Sequence, residues 1–100
     1  MQSDEEIMLS RVQSETLGAL LSIQSYREIA PAYFDRLRAA VLDAVAFFGQ
    51  EPTIPEALFE ELAGAERTLR NEATAFPGRT VACVDMADWL AEQRKLIRSL

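Results

Sequence analysis

Apolar residues recur every three or four positions along most of the chain, which is the period of a helix with one buried face. The repeats are interrupted at Pro31, at GQEPTIP (49–55) and at FPGRT (76–80). This pattern predicts an all-α fold, with four helices packed as a compact bundle-like single domain over residues 1–100. We expect the connections to be short and sequential helices to be antiparallel neighbours.

The first predicted helix begins near the SDEE stretch at residues 3–6. Ser3 or Asp4 can accept hydrogen bonds from the unpaired amides of the first turn, and Glu5 and Glu6 favour the positive end of the helix dipole. Its apolar stripe consists of Met8, Val12, Ala19, Ile23 and Tyr26, widened by Leu9, Thr16 and Leu20. The helix is expected to end or break within residues 25–31.

The second helix is expected to start at Pro31, because proline suits a first turn but cannot continue the preceding helix. It runs to about Phe48, and Gly49 is a typical stop. Its broad apolar face contains Tyr33, Phe34, Leu37, Ala40, Val41, Ala44, Val45 and Phe48.

The third helix is predicted to begin with Thr53 as its cap and Pro55 in its first turn, and to continue to about Phe76. Its apolar face consists of Leu58, Leu62, Ala65, Leu69 and Phe76, with Phe59 at the edge.

The fourth helix is predicted to start near Asp85, because Asp85 and Asp88 resemble a capping box. The preceding TVACV stretch is β-branched and apolar, so residues 77–84 are interpreted as an irregular, partly buried connection with Cys83 as a small core residue. The apolar stripe of this helix contains Met86, Trp89, Leu90, Gln93, Ile97 and Leu100.

The chain has a net charge of −6 and 26% charged residues. Non-specific nucleic-acid binding needs an excess of Lys and Arg, and anionic lipid would repel this charge balance, so we expect neither as a partner. The longest uncharged run, TLGALLSIQSY, has 11 residues and is too short to cross a bilayer. The acidic MQSDEEIML start is unlike a signal peptide, so we expect a soluble, cytoplasmic protein.

The residue types that carry most catalytic and metal chemistry are scarce. The chain has no histidine, one cysteine and four isolated glycines, so we expect no enzyme activity, no catalytic residue, no cofactor and no metal site. Glu56 and Glu60 lie four residues apart and could form an acid–base or metal-binding pair. A solvated helix face is the favoured interpretation, because a helical chain with 16 acids produces such pairs by chance.

The acids are concentrated in the third helical segment. Residues 51–78 contain six acids and two bases, a charge of −4, whereas residues 79–100 contain three acids and four bases, a charge of +1. An acidic helix could imitate nucleic-acid phosphates, but its acids are spread around the helix, which favours an ordinary soluble surface.

Several apolar residues lie outside the predicted stripes, notably Leu17 and Leu21 on the first helix and Leu42 and Ala46 on the second. Two interpretations remain open. Either these residues form an exposed patch, which in small proteins marks an interface, or the first helix is covered on two sides in a crowded bundle.

The stretch YREIAPAYFDRLR (26–38) adds aromatic and arginine side chains, which dominate the energetics of many interfaces. Tyr33 and Phe34 are as readily explained by core packing, with the others at the rim. The candidate interface residues are Leu17, Leu21, Tyr26, Arg27, Arg36, Arg38 and Leu42.

These observations favour a non-enzymatic protein that binds a larger protein or nucleoprotein assembly as an adaptor or inhibitor. Inhibitors carried by phages or mobile elements have similar size and acidity, which is an analogy only. The alternative is a self-assembling homodimeric structural or regulatory subunit that uses the Leu17 and Leu21 patch. The third hypothesis is an enzyme or ligand carrier in which Glu56 and Glu60 converge in a cavity.

Overall fold

The computed structural model describes residues 3–26, 31–50, 54–75 and 80–98. Four α-helices account for nearly all of them, and no strand is present in these ranges. They are α1 (Asp4–Tyr26), α2 (Pro31–Phe48), α3 (Glu56–Ala75) and α4 (Thr80–Arg98). The predicted all-α, four-helix fold is therefore confirmed.

Ser3 caps the first turn of α1. Its Oγ accepts a hydrogen bond from the Glu6 amide at 3.2 Å, and its carbonyl accepts one from the Ile7 amide at 3.0 Å. Asp4, Glu5 and Glu6 follow in the first turn, where the helix dipole favours negative charge.

The end of α2 also follows the sequence prediction. The Gly49 amide donates to the Val45 carbonyl at 2.9 Å, and the Gln50 amide donates to the Phe47 carbonyl at 3.2 Å, which tightens the last turn. The start of α3 lies at Glu56, one residue after Pro55. The predicted cap at Thr53 and the predicted end at Phe76 lie outside the described residues.

The helices form a bundle of two hairpins. α1 packs against α2 and α3, and α4 packs against α3 and α2. In the described ranges, α1 does not approach α4, and α2 does not approach α3. The segment after α2 therefore leads to the diagonally opposite helix, so the expectation that sequential helices are neighbours is wrong for α2 and α3. The outer sides of α1 and α2 remain uncovered by the other hairpin.

The core draws on all four helices. Its largest fully buried side chains include Phe48, Leu37, Leu58, Leu62, Leu69, Met86, Leu90, Ile23 and Ile97. Small residues fill the space between them: Ala19, Ala40, Ala44, Ala65, Ala73, Cys83 and Ala87 are also buried. Burial of Cys83 confirms its assignment to the core, and Trp89 is half-buried against the same cluster. Leu100 lies outside the described residues.

The predicted start of the fourth helix was wrong. Helix α4 begins at Thr80 and includes the VACV stretch, so Asp85 and Asp88 lie within the helix and form no cap. Cys83 lies three residues before Met86 and four before Ala87, and all three are buried, which continues the apolar stripe by one turn. This packing outweighs the weak helix propensity of valine and threonine.

Two buried side-chain oxygens in the described residues have no hydrogen-bond partner within the chain, Thr16 Oγ1 and Gln93 Oε1. Thr16 is 3% exposed on the buried face of α1. A buried hydroxyl without a partner loses its hydration without compensation.

We expect Thr16→Val to raise the free energy of unfolding by about 1 kcal/mol, because valine keeps the shape of threonine and removes the unpaired hydroxyl. Urea unfolding followed by circular dichroism measures this change. Thr68→Val is the matched control, since Thr68 Oγ1 donates to the Gly64 carbonyl at 3.1 Å and loses that bond on substitution. Thr68→Val should lower the stability, and any loss of stability for Thr16→Val would contradict the prediction.

Candidate functional site

One side of α1 presents a row of exposed residues without a charge. Ile7, Ser10, Ser14, Leu17 and Leu21 follow one another in steps of three and four, which keeps them on one side of a helix. Ile7, Leu17 and Leu21 are 47%, 58% and 48% exposed. The row lies roughly opposite the buried residues of α1, so it faces away from the bundle.

Helix α2 continues this surface with small and apolar residues. Ala32, Ala39, Leu42 and Ala46 are exposed and lie on the side of α2 opposite its buried face. Because α1 packs on α3 and α2 packs on α4, the outer sides of α1 and α2 lie on the same solvent-exposed side of the bundle. We call this surface the hairpin face; its members are Ile7, Ser10, Ser14, Leu17, Leu21, Ala32, Ala39, Leu42 and Ala46.

All charged side chains in residues 7–26 and 31–50 are paired with one another. Arg11 donates to Asp43 across the two helices, and Arg36 lies 3.8 Å from the Glu15 carboxylate. On α2, Arg38 lies 3.4 Å from Asp35. The three bases and three acids cancel, so the hairpin beyond the first turn of α1 is neutral although the chain carries −6.

The structure places the predicted leucines in solvent. Leu17 and Leu21 share the α1 row, and Leu42 is about half exposed on α2. The described structure therefore agrees with the first interpretation of the surplus apolar residues, in which they are exposed. Leu42 lies on the side of α2 that faces away from the Arg36 and Asp43 contacts to α1. It belongs to the hairpin face but is separated from the α1 row.

The predicted arginines are engaged within the hairpin. The Arg36 guanidinium lies 4.6 Å from the centre of the Tyr33 ring, in addition to its contact with Glu15. Phe34 is buried, as the core-packing interpretation proposed. Tyr26 ends α1, but its side chain lies outside the described residues, as does Arg27.

Sequence reasoning missed Ile7, Ser10 and Ser14 as members of this surface. The signal was present in the 7, 10, 14, 17, 21 spacing, which matches the a and d positions of a coiled-coil seam. The spacing was overlooked because two of the five positions are serines, and serine is not counted as an apolar residue.

Other exposed apolar residues do not form a comparable row. Val81 and Leu96 are exposed on α4, but they lie 15 residues apart at opposite ends of the helix. They provide controls for the hairpin face, because both are exposed and lie on another helix.

One acid of the third helix, Glu66, is paired with two arginines. Glu66 accepts hydrogen bonds from Arg70 at 3.1 and 3.2 Å, and its second oxygen lies 3.0 Å from Arg94 of α4. Arg70 also donates to Asp88 at 2.9 Å, and these bonds raise the pKa of Arg70 above its ordinary value. Glu66 thus joins α3 to α4.

Glu56 and Glu60 line one shallow groove of about 290 Å³, together with Phe59, Ala63, Arg94 and Arg98. Both carboxylates are exposed, and Glu56 is paired with Arg98 at 3.4 Å. Arg98 also lies 4.1 Å from the centre of the Phe59 ring. Neighbouring Glu61 lies outside the groove lining, and partial burial raises its pKa. The groove is therefore open to water, and one of its two carboxylates already has a cationic partner.

Within the described ranges, no group of three His, Cys, Asp or Glu side chains is arranged to hold a metal ion. No helix in those ranges combines the length and apolar character needed to span a membrane.

Comparisons of the chain with protein-family models, curated proteins and solved structures found no match.

Proposed function

We propose that this protein is a non-enzymatic, cytoplasmic binding module that attaches to a larger protein or nucleoprotein assembly as an adaptor or inhibitor. The hairpin face is the binding surface in this proposal. The observation that carries it is the uncharged row from Ile7 to Leu21, which exposes three large apolar side chains on one helix.

The energetics of exposed apolar groups support this choice. Monomeric soluble proteins rarely keep large contiguous apolar patches in water unless another molecule covers them. The a and d spacing of the row suits the insertion of side chains from a second helix. Because the charges beside the row are paired within the hairpin, a partner can cover it without stranding an isolated charge.

The residue chemistry supports a role in binding rather than catalysis. The chain has no histidine to act as a general base near neutral pH, and its single cysteine, Cys83, is buried. The exposed Glu56 and Glu60 carboxylates line an open groove rather than an enclosed cavity. Their shallow groove therefore ranks below the hairpin face.

The Leu17→Asp, Leu21→Asp double variant is expected to lose the partner while remaining folded. Two charges placed in the centre of an apolar contact are expected to weaken binding by tenfold or more, on the order of the effect of a hot-spot substitution. The measurement is capture of proteins from the native host's extract on immobilised protein, quantified by mass spectrometry relative to the unsubstituted chain.

Val81→Asp, Leu96→Asp is the matched control, because it introduces the same chemistry at exposed positions of α4. A Leu17→Gln, Leu21→Gln variant serves if aspartate disturbs the helix, since glutamine is a better helix former. Equal capture by the α1 and α4 variants would show that the hairpin face is not the binding surface.

A further inference from the structure

The neutrality of the hairpin face bears on what can cover it. In a two-fold dimer, the same surface patch meets itself, so an unpaired charge near the symmetry axis meets an identical charge. Helix α3 carries five acids and two bases, and the first turn of α1 adds three more acids. Residues 7–26 and 31–50 instead balance three acids with three bases, all of them paired. This region of a chain with charge −6 is thus suited to contact its own copy.

The sizes of the side chains along α1 are complementary to themselves in one orientation. After Ile7 at its start, the row contains Ser10 and Ser14 in its first half and Leu17 and Leu21 in its second half. When two such helices run antiparallel with a and d positions interleaved, Leu17 faces Ser14 of the partner subunit and Leu21 faces Ser10 of the partner subunit. Large residues then fill the space above small ones, which is the condition for close packing.

The parallel orientation lacks these advantages. It places leucine against leucine and serine against serine, and it brings both copies of Asp4, Glu5 and Glu6 to the same end. The antiparallel orientation separates the two acidic ends and sets each beside the uncharged second half of the other helix.

We infer that the hairpin face is covered by a second copy of this chain, through an antiparallel α1–α1 contact whose two-fold axis lies between Ser14 and Leu17 of the row. The exposed alanines of α2, at positions 32, 39 and 46, let the second copy approach closely and add to the buried area. A single helix row buries less than the roughly 800 Å² per partner of a standard interface, so the dimer is weak. We expect a dissociation constant on the order of micromolar.

This inference rests on the proposed function in that both use the hairpin face. A partner protein then has to displace the second copy before it can bind. The two proposals are separable, because self-association is measured on the pure protein and capture is measured with an extract.

Sedimentation equilibrium of the pure protein from 1 μM to 1 mM tests the pairing, with Leu17→Asp and the control Val81→Asp alongside. We expect the native chain and Val81→Asp to approach dimer mass at high concentration. Leu17→Asp should stay folded and associate at least tenfold more weakly than the native chain. A native chain that is monomeric throughout, or a Leu17→Asp variant that dimerises as the native chain does, overturns the inference.

Cross-linking tests the orientation. Cys83 is buried, so a cysteine placed in the row becomes the accessible thiol. With a bismaleimide of about 8 Å reach, Leu17→Cys should link the two copies, because position 17 lies near the axis. Ile7→Cys should not, since its two copies are about 25 Å apart along the helix axis at 1.5 Å per residue. Linking of both variants indicates a parallel pair, and linking of neither indicates another face; each overturns the inference.

The outcomes also separate the two proposals. Loss of capture by the Leu17, Leu21 variant with a monomeric native chain overturns the self-pairing and leaves the proposed function. A dimer split by Leu17→Asp with unchanged capture sustains the self-pairing and removes the proposed binding surface.

Discussion

Phe48→Ala is expected to lower the free energy of unfolding by about 3–5 kcal/mol. Phe48 is fully buried at the end of α2, and its ring contacts the Phe47 ring edge-to-face with the centroids 5.0 Å apart. Truncation removes the buried ring, leaves a cavity and ends the aromatic contact. Because domains of this size have a total stability of about 5–15 kcal/mol, the variant should be close to unfolding at physiological temperature.

Leu42→Ala is the matched control, since Leu42 lies on the same helix with its side chain about half exposed. Its stability should change by at most about 0.5 kcal/mol, as for most surface substitutions. Urea unfolding followed by far-ultraviolet circular dichroism provides both values. A loss below about 1 kcal/mol for Phe48→Ala would contradict the assignment of Phe48 to the core.

Glu66→Ala is expected to have the next largest effect, a loss of about 1–3 kcal/mol of stability. The Glu66 side chain is only 15% exposed, and its two oxygens hold Arg70 and Arg94 together between α3 and α4. Without this carboxylate, the two guanidinium groups repel each other, Arg94 loses its contact with α3, and Arg70 keeps its acceptor at Asp88. Urea unfolding at low and at 1 M salt measures the loss, which salt should reduce only in part.

Glu56→Ala tests whether burial of the carboxylate, rather than pairing alone, sets the size of this effect. Glu56 also pairs with an α4 arginine, Arg98 at 3.4 Å, but its side chain is mostly exposed. Exposed pairs contribute little, so its loss should cost about 0–1 kcal/mol and disappear at high salt. Equal costs for the two glutamates would show that Glu66 has no special role in joining α3 to α4.

Local chemistry was sufficient to predict most helix boundaries. Ser3 and the acids after it, Pro31 and Gly49 each act within one helical turn, through hydrogen bonds or restricted dihedral angles that depend on near neighbours. The sequence therefore predicted the start of α1 and both ends of α2 correctly. The start of α4 was not predicted correctly. Thr80 to Val84 are helical because Cys83 is buried against the core, and this tertiary contact cannot be seen in the local sequence pattern.

The candidate site was predictable only in part. Leu17, Leu21 and Leu42 were found because they fall outside the stripes expected to be buried, and the structure exposes all three. Ser10 and Ser14 were not found, since their place in the surface depends on position rather than on hydrophobicity. The pairings of Arg36 with Glu15 and of Glu66 with Arg94 were also beyond local reasoning, because each partner comes from another helix.

The sequence by itself determined the all-α class, the number of helices and most of their ends, because these follow from residue types and their near neighbours. Tertiary structure alone decided which helices are diagonal in the bundle, which charges neutralise one another, and that the hairpin face is both neutral and uncovered. Those properties arise when residues far apart in the chain become neighbours, and the energies of such contacts depend on the distances that packing sets.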